Sequence, residues 1–593
     1  MLERVKLSTD LCIVGGGMAG ISAAIAAARS GIRVVLIHER SVLGGNSSSE
    51  IRMWVCGARG KNNNETGLIE EISLENLYRN PTKNHYLWDA ILFDFVKREK
   101  NITLLLNATC MDADTERGDY PYGRNIKIKS VTAYQMTTQR FYQVEAKFFS
   151  DCSGDSILAP LTNAEFRLGR ECGEEFGEET HVKVPDKMTM GMSCLIQGVE
   201  TQRPVRFIPP SFATKLTDSD VENRPMDPYK TAENFWYLEL GGDRDTIGDT
   251  EVLRDELVAL ALGAWDRLKN HSGARFDTWE LGFLGFLPGK RESRRMMGEY
   301  VITQKDISED KVFADTVAFG GWPLDDHFPA GYYHKGTPNT DIVTPPAYCI
   351  PYRSLYSKNV DNLFFAGRNI SMTHMAMSSI RVMKTCSLLG EAVGRAAAIA
   401  KEYSLTPHGV YLEKLKLLQD TLMDSDCFLP HFRRRVGELC RRTELSGGDG
   451  TLKNGEDRAS SVYGTEDKGV AVKNGECLEY RFEEPESIAT VHIVFDSDLN
   501  RESLPGDSVE RLHSTRSNVL LDSPVMHMPH PLCKSFRLEA ETGSGTVVLA
   551  MTSDNLKRAY HITADIKAYA VRLIPLSNWG NTAKTKIVSF DFT

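Results

Sequence analysis

Asp10-Leu-Cys-Ile-Val-Gly15-Gly-Gly17-Met-Ala-Gly20 reads as a short apolar strand that breaks into a glycine turn and restarts as a helix. Leu11 to Val14 have the unbroken apolar character of a parallel strand buried on both faces. Gly15, Gly17 and Gly20 carry the G-x-G-x-x-G spacing of a strand–turn–helix phosphate site. The first glycine permits the tight turn, the second lets backbone approach a pyrophosphate, and the third lets the helix pack closely on the sheet. The Ala-rich helix that follows, Ile21 to Arg29, turns its N-terminal dipole and free N–H groups toward the anion. A second strand, Arg33 to Ile37, leads to Glu39, 19 residues after Gly20, where a carboxylate can accept hydrogen bonds from a ribose diol. The unit predicts dinucleotide binding. By itself it does not separate NAD from FAD.

Glu39-Arg40-Ser-Val-Leu-Gly44-Gly45-Asn46-Ser47 separates them. Its E-x-x-x-x-G-G spacing resembles FAD-dependent oxidoreductases of the two-domain, fumarate-reductase-like type. Three later segments resemble the same family. Asp151-Cys-Ser-Gly154-Asp155 follows an apolar strand and is similar to a D-x-[ST]-G-D element. Asn362-Leu-Phe-Phe-Ala-Gly367-Arg368 leads through Thr373-His374 to Ser378-Ser379-Ile380-Arg381 and a long Ala/Gly-rich helix, Leu389 to Ala400. Pro288-Gly-Lys-Arg-Glu292-Ser293-Arg294-Arg295 completes the set. The resemblance spans roughly residues 8 to 425 and implies FAD as cofactor. It further implies that Arg40, Gly44, Gly45, Asn46, Ser47, Asp151, Gly154, Asp155, Gly367, Arg368, Ser379 and Ile380 join Gly15, Gly17, Gly20 and Glu39 in holding it.

A chain of 593 residues is expected to hold several domains. The net charge of −10 argues against a general nucleic-acid or anionic-membrane surface, and Arg433-Arg-Arg435 with Arg441-Arg442 reads as a solvated helix face. The twelve cysteines stand singly with no C-x-x-C pair, which disfavours an iron–sulfur centre or zinc ribbon and suits a reducing compartment. No metal is expected. No apolar run reaches the roughly 20 residues of a membrane span, and a cytoplasmic location is expected.

The expected fold class is α/β: a Rossmann-like FAD-binding domain with an inserted α+β substrate domain, plus a C-terminal all-β sandwich. The FAD domain is read as discontinuous, 1–165 and 340–402, around a substrate domain at 166–339. A helical tail and a Gly/Asp-rich linker fill 403–455. From 456 to 593 short alternating runs recur between turn signals, the pattern of a sandwich. That segment faintly resembles galactose-binding-like jelly rolls.

Hydride chemistry at a flavin needs a group to take the hydroxyl proton and positive charge near the reacting end. His327, in the loop Gly320-Gly-Trp-Pro-Leu-Asp-Asp326-His327, and His374 are the candidate bases, because imidazole titrates near neutrality. Arg381 is the candidate clamp at the start of the long helix. Arg294, in the charge-dense stretch after Leu287, is a candidate pocket arginine or a domain-locking ion pair. Arg52 is expected to face flavin or substrate, and Cys56 is a candidate covalent anchor. The function expected is hydride transfer between a small polar substrate, a hydroxyl-bearing carbohydrate or glycoside by preference, and the flavin, with an electron acceptor the sequence does not identify. The alternatives are redox-neutral elimination or hydrolysis through transient oxidation, and a carbohydrate-binding protein with a vestigial FAD domain.

Overall fold

A computed structural model describes residues 2–179, 182–224, 226–229, 234–502 and 513–593. Leu11 to Val14 form the buried half of β1 (Arg4–Val14). This strand pairs in parallel with β2 (Val34–Ile37), Val14 opposite Ile37, and with β6 (Arg140–Asp151), Val14 opposite Asp151. Between β1 and β2 runs α1 (Met18–Arg29), whose residues from Met18 to Ala28 are all buried. Helices α2 (Leu68–Arg79) and α3 (His85–Lys97) lead to β3 (Ile102–Leu105), parallel to β2. A meander of β4 (Ala108–Tyr120), β5 (Arg124–Gln135) and β6 follows, and the sheet runs β3-β2-β1-β6-β5-β4. β4 is missed by sequence reasoning because it is an exposed edge strand whose residues are mostly charged or polar.

The chain leaves this sheet after β6 and returns to it much later. β7 (Leu363–Phe365) pairs in parallel with the end of β6, Phe365 opposite Asp151. The excursion carries short antiparallel ladders and one long helix, α4 (Thr250–His271), which packs its Leu253, Leu257 and Trp265 against Trp279 and Phe235. After β7 come a short helix, α5 (His374–Ile380), and the long α6 (Met383–Glu402). α6 lies directly on α1: a Cβ on Gly390 would stand 2.0 Å from the Ala19 carbonyl oxygen, and one on Gly394 2.4 Å from that of Ala23. Small residues on both helices let their backbones meet.

From β8 (Val470–Lys473) the chain is antiparallel β: β9 (Leu478–Phe495), β10 (Cys533–Thr542), β11 (Gly545–Thr552), β12 (Ala559–Asn578) and β13 (Lys584–Phe592), ordered β8-β13-β9-β12-β10-β11. The strands are longer than the sequence runs suggest. Leu478 to Phe482 and Ala489 to Phe495 belong to one strand, β9, whose register with β12 shifts between Arg481 and Glu486.

This region is bound into the rest of the chain. Arg458 donates to the Asn64 carbonyl (2.9 Å) and to Thr66 Oγ1 (2.8 Å), Arg501 pairs with Glu70, and Arg558 pairs with Asp426. Arg434 corrects the reading of 433–435 as a solvated helix face. It lies outside any helix, 2% exposed, between Asp457 and Asp591. Among the described residues no helix is long and apolar enough to cross a membrane.

Candidate active site

The carboxyl ends of β1, β2, β6 and β7 stop in register, and the loops leaving them enclose a cavity of about 620 Å³. That crevice is where open parallel sheets place their ligands. Its inner wall is built from Gly15 to Gly17, Glu39 and Arg40, Gly44 to Asn46, Gly154, and Gly367 with Arg368. Two glycines of the turn motif serve the protein's own packing. Gly15 takes φ +109°, and a Cβ there would fall 2.3 Å from the Cys152 carbonyl oxygen; one on Gly20 would fall 1.8 Å from that of Gly15. Gly17 is different. A Cβ there would meet nothing nearer than Gly45 Cα, at 3.9 Å, so the space above it belongs to the cavity. His38 fixes the turn, accepting the Gly16 N–H at Nδ1 (3.0 Å) while Nε2 lies 3.0 Å from the Val42 carbonyl.

The outer wall is aromatic and charged. Trp54, Trp236 and Trp322 line it, and His327 stands among them with the Trp236 ring 5.1 Å away, edge-on. His327 Nδ1 lies 2.6 Å from Glu239, and its Nε2 lies 3.4 Å from Asp325. Arg291 reaches the same Glu239 oxygen, Oε2 (3.3 Å), and Arg381 donates to Asp325 (3.0 Å). Burial works to raise both carboxyl pKa values. Arg291 and His327 outweigh it at Glu239, and His327 and Arg381 outweigh it at Asp325, so both stay ionised. These residues come from segments far apart in sequence, which the excursion between β6 and β7 folds back over the cavity.

The model of the FAD dependent oxidoreductase family matches residues 10–422. The chain belongs to that family. The protein is therefore an FAD-dependent oxidoreductase, and FAD is its cofactor. Among solved structures, it is similar to the quinol fumarate reductase of E. coli (11% identity over 71% of this chain and 75% of that one, TM-score 0.28). It is also similar to the adenylylsulfate reductase of Archaeoglobus fulgidus (13%, 71% and 74%, TM-score 0.28). A family 32 carbohydrate-binding module from Streptococcus pneumoniae EndoD matches 25% of this chain over 92% of its own (14% identity, TM-score 0.16). The comparison with curated proteins gave no match.

The inner wall of the oxidoreductase suits an anionic dinucleotide. Arg40 Nε and Nη1 and Arg368 Nε are buried without a hydrogen-bond partner, and the carboxylates nearest Arg40, Glu39 and Glu50, stand 3.7 Å away. Unsatisfied guanidinium donors beside a glycine turn fit a pyrophosphate. Other residues expected at the cofactor lie one layer behind the wall. Ser47 donates to the Gly44 carbonyl (2.8 Å), and Asp151 accepts from the Leu158 N–H (2.8 Å) and from Ser153. Asp155 joins Lys290 (2.9 Å) to Arg368 (2.8 Å). Ser379 donates to the Trp322 carbonyl, and Ile380 is fully buried. They shape the loops without facing the cavity.

Three expectations about the outer site are corrected. His374 does not line the cavity: its Nδ1 meets Glu292 (2.8 Å) and its Nε2 meets Asp326 (3.0 Å), so neither nitrogen is open to a substrate. Arg294 turns away to the Asp155 carbonyl (3.3 Å) and Phe166, whereas its neighbour Arg291 lines the wall. In the same stretch Arg295 is buried between Glu292 and Glu171, a lock between segments. Arg52 also leaves the site, lying over the Phe283 ring (3.9 Å) and bonding Gln197 (2.7 Å). Arg381 does not open the long helix, which runs from Met383 and so begins ahead of the Leu389 read from sequence. Ser378 to Ile380 end α5, and Val382, Met383 and Cys386 of α6 bring its N-terminus to the cavity. Cys56 is on the wall, with burial pushing its thiol up to about 12.

His374 makes a prediction about stability. Burial would lower its pKa, but Glu292 and Asp326 on either side outweigh burial and hold it up at about 10, against an ordinary 6.5. Between these values the folded chain binds a proton that the unfolded chain has lost. The stabilisation is complete below about 6.5 and declines as pH rises to about 10. The urea midpoint of the wild type is expected to fall over this window, while His374→Asn, lower throughout, loses most of that slope. Parallel slopes in both proteins overturn the assignment.

Proposed function

We propose that this oxidoreductase takes a hydride from a carbinol C–H of a hydroxyl-bearing carbohydrate or glycoside. The observation that carries the reading is that the cations of the outer wall are already neutralised. Arg59 pairs with Asp341 (3.1 Å), Arg291 with Glu239 and Arg381 with Asp325, while Lys290 shares Asp155 with Arg368 toward the inner wall. A wall with no spare positive charge favours a neutral substrate over a carboxylate. Its paired ions still offer hydrogen-bond donors and acceptors, and Trp54, Trp236 and Trp322 supply aromatic surface for a sugar ring, one face of Trp54 being taken by His513 and one of Trp322 by Arg59.

FAD, when bound, supplies the two-electron acceptor. In its neutral form His327 would take the hydroxyl proton at Nε2, which faces the cavity 3.4 Å from Asp325, with Glu239 holding the ring through Nδ1. Glu239 and Asp325, both ionised, stabilise the imidazolium that forms. Arg381 orients the substrate oxygen, and the N-terminus of α6 favours negative charge at that end of the cavity. Glu39 would hold the ribose hydroxyls of the cofactor, and Gly17 would leave room for its pyrophosphate. His374 and Arg294 are assigned to structure rather than to chemistry.

The test is the visible spectrum of the anaerobic holoenzyme as neutral sugars, glycosides and hydroxy acids are added. Bleaching of the oxidised-flavin band by neutral sugars or glycosides, and not by hydroxy acids, is expected. Bleaching by a hydroxy acid alone overturns the reading.

A further inference from the structure

We propose that the C-terminal β domain is part of the active site, and that its His513, stacked on Trp54, forms a specificity-determining wall of the substrate pocket. The substrate half of this inference rests on the sugar reading above. The two rings lie face to face, centroids 4.4 Å apart and planes within 6°. Both line the same cavity as the glycine turn and His327. Trp54 comes from the loop after Gly44–Gly45. His513 comes from the connection between β9 and β10, far along the chain.

The segment that carries His513 is built to stay there. Lys83 Nζ donates to the His513 carbonyl, and Asn76 Nδ2 donates to that of Ser514 (2.8 Å). His85 Nε2 (2.9 Å) and Gln197 Nε2 (3.1 Å) converge on the Arg516 carbonyl. Trp54 Nε1 donates to Ser517 Oγ (2.6 Å), so the indole is held at its edge as well as its face. Gly198 N–H donates to Asn518 Oδ1 (2.8 Å), and Val519 exchanges backbone bonds with Gly198 and Glu200. Thr515, Ser517 and Asn518 are each at most 6% exposed. Earlier in the same connection Glu502 pairs with Lys384, in the first turn of α6 beside the cavity. A surface loop of an independent domain has no reason to bury this many polar groups against two others. A loop that shapes a pocket does.

A stacked indole–imidazole pair presents a rigid, flat, weakly polar surface, which suits the ring face or aromatic aglycone of a glycoside. The experiment uses full-length holoenzyme and phenyl β-D-glucopyranoside, with binding read from perturbation of the flavin spectrum. His513→Ala is expected to weaken binding about threefold to tenfold with flavin content unchanged, and His513→Phe to restore it. Unchanged binding in His513→Ala, or equal loss in both variants, overturns the specificity role. Iodide quenching of flavin fluorescence tests the wall without any sugar: it is expected to rise in His513→Ala and not in His513→Phe. If the wild type does not bind the glycoside, the sugar reading fails, and quenching alone decides the wall. Equal quenching in wild type and His513→Ala overturns the wall itself.

Discussion

Gly17→Leu is expected to yield a folded protein without its flavin. The protein's own atoms leave the position open, since a Cβ there meets nothing within 3.9 Å. The side chain therefore enters the space assigned to the pyrophosphate and collides with ligand rather than with backbone. Loss of affinity by more than about a hundredfold is expected, roughly 3 kcal/mol or more. The variant should purify colourless, with far-UV circular dichroism like the wild type and a melting temperature equal to that of wild-type protein stripped of FAD. Ligand linkage requires that last equality, because FAD stabilises only the state that binds it. Gly20→Ala is the contrasting control. Its Cβ would fall 1.8 Å from the Gly15 carbonyl oxygen, so it should damage folding whether or not FAD is present. A yellow Gly17→Leu protein with normal FAD content would sink the assignment of the inner wall.

His327→Gln carries the second large effect. Glu239 keeps Arg291 as a partner and Asp325 keeps Arg381, so the substitution strands no buried charge. Flavin content and melting temperature should hold. The rate of anaerobic flavin reduction by the substrate should fall about a hundredfold to ten-thousandfold, the span of a lost general base. Raising the pH should recover part of the rate, because more substrate then arrives without its proton. Reduction at the wild-type rate would remove His327 from the chemistry and leave it a packing partner of Trp236.

The inner wall of the cavity was legible because its requirements are local. A strand that ends in G-x-G-x-x-G can do little except turn tightly and start a helix, and Gly15, Gly17, Glu39, Gly44 and Gly45 all face the cavity. The substrate side was not legible to the same degree. His327 and His374 look alike in sequence, each in a loop near small residues. One reaches the cavity, and the other is consumed by Glu292 and Asp326. Arg291 and Arg294 stand three apart in one charged run, and the fold turns the first inward and the second toward Phe166. Glu239, Trp54 and Trp236 carry no motif at all. His513 had no signal that could have found it, because its partner Trp54 lies far away in the sequence.

The sequence by itself determined the β-α-β unit, the family and the cofactor, since backbone conformation and close approach depend on glycine spacing within a few residues. The tertiary structure alone decided which charged and aromatic side chains line the outer part of the cavity. Where a loop side chain points, and which carboxylate neutralises it, depends on segments hundreds of residues apart that meet only once the sheet closes with β7 and the β domain docks its loop over the cavity.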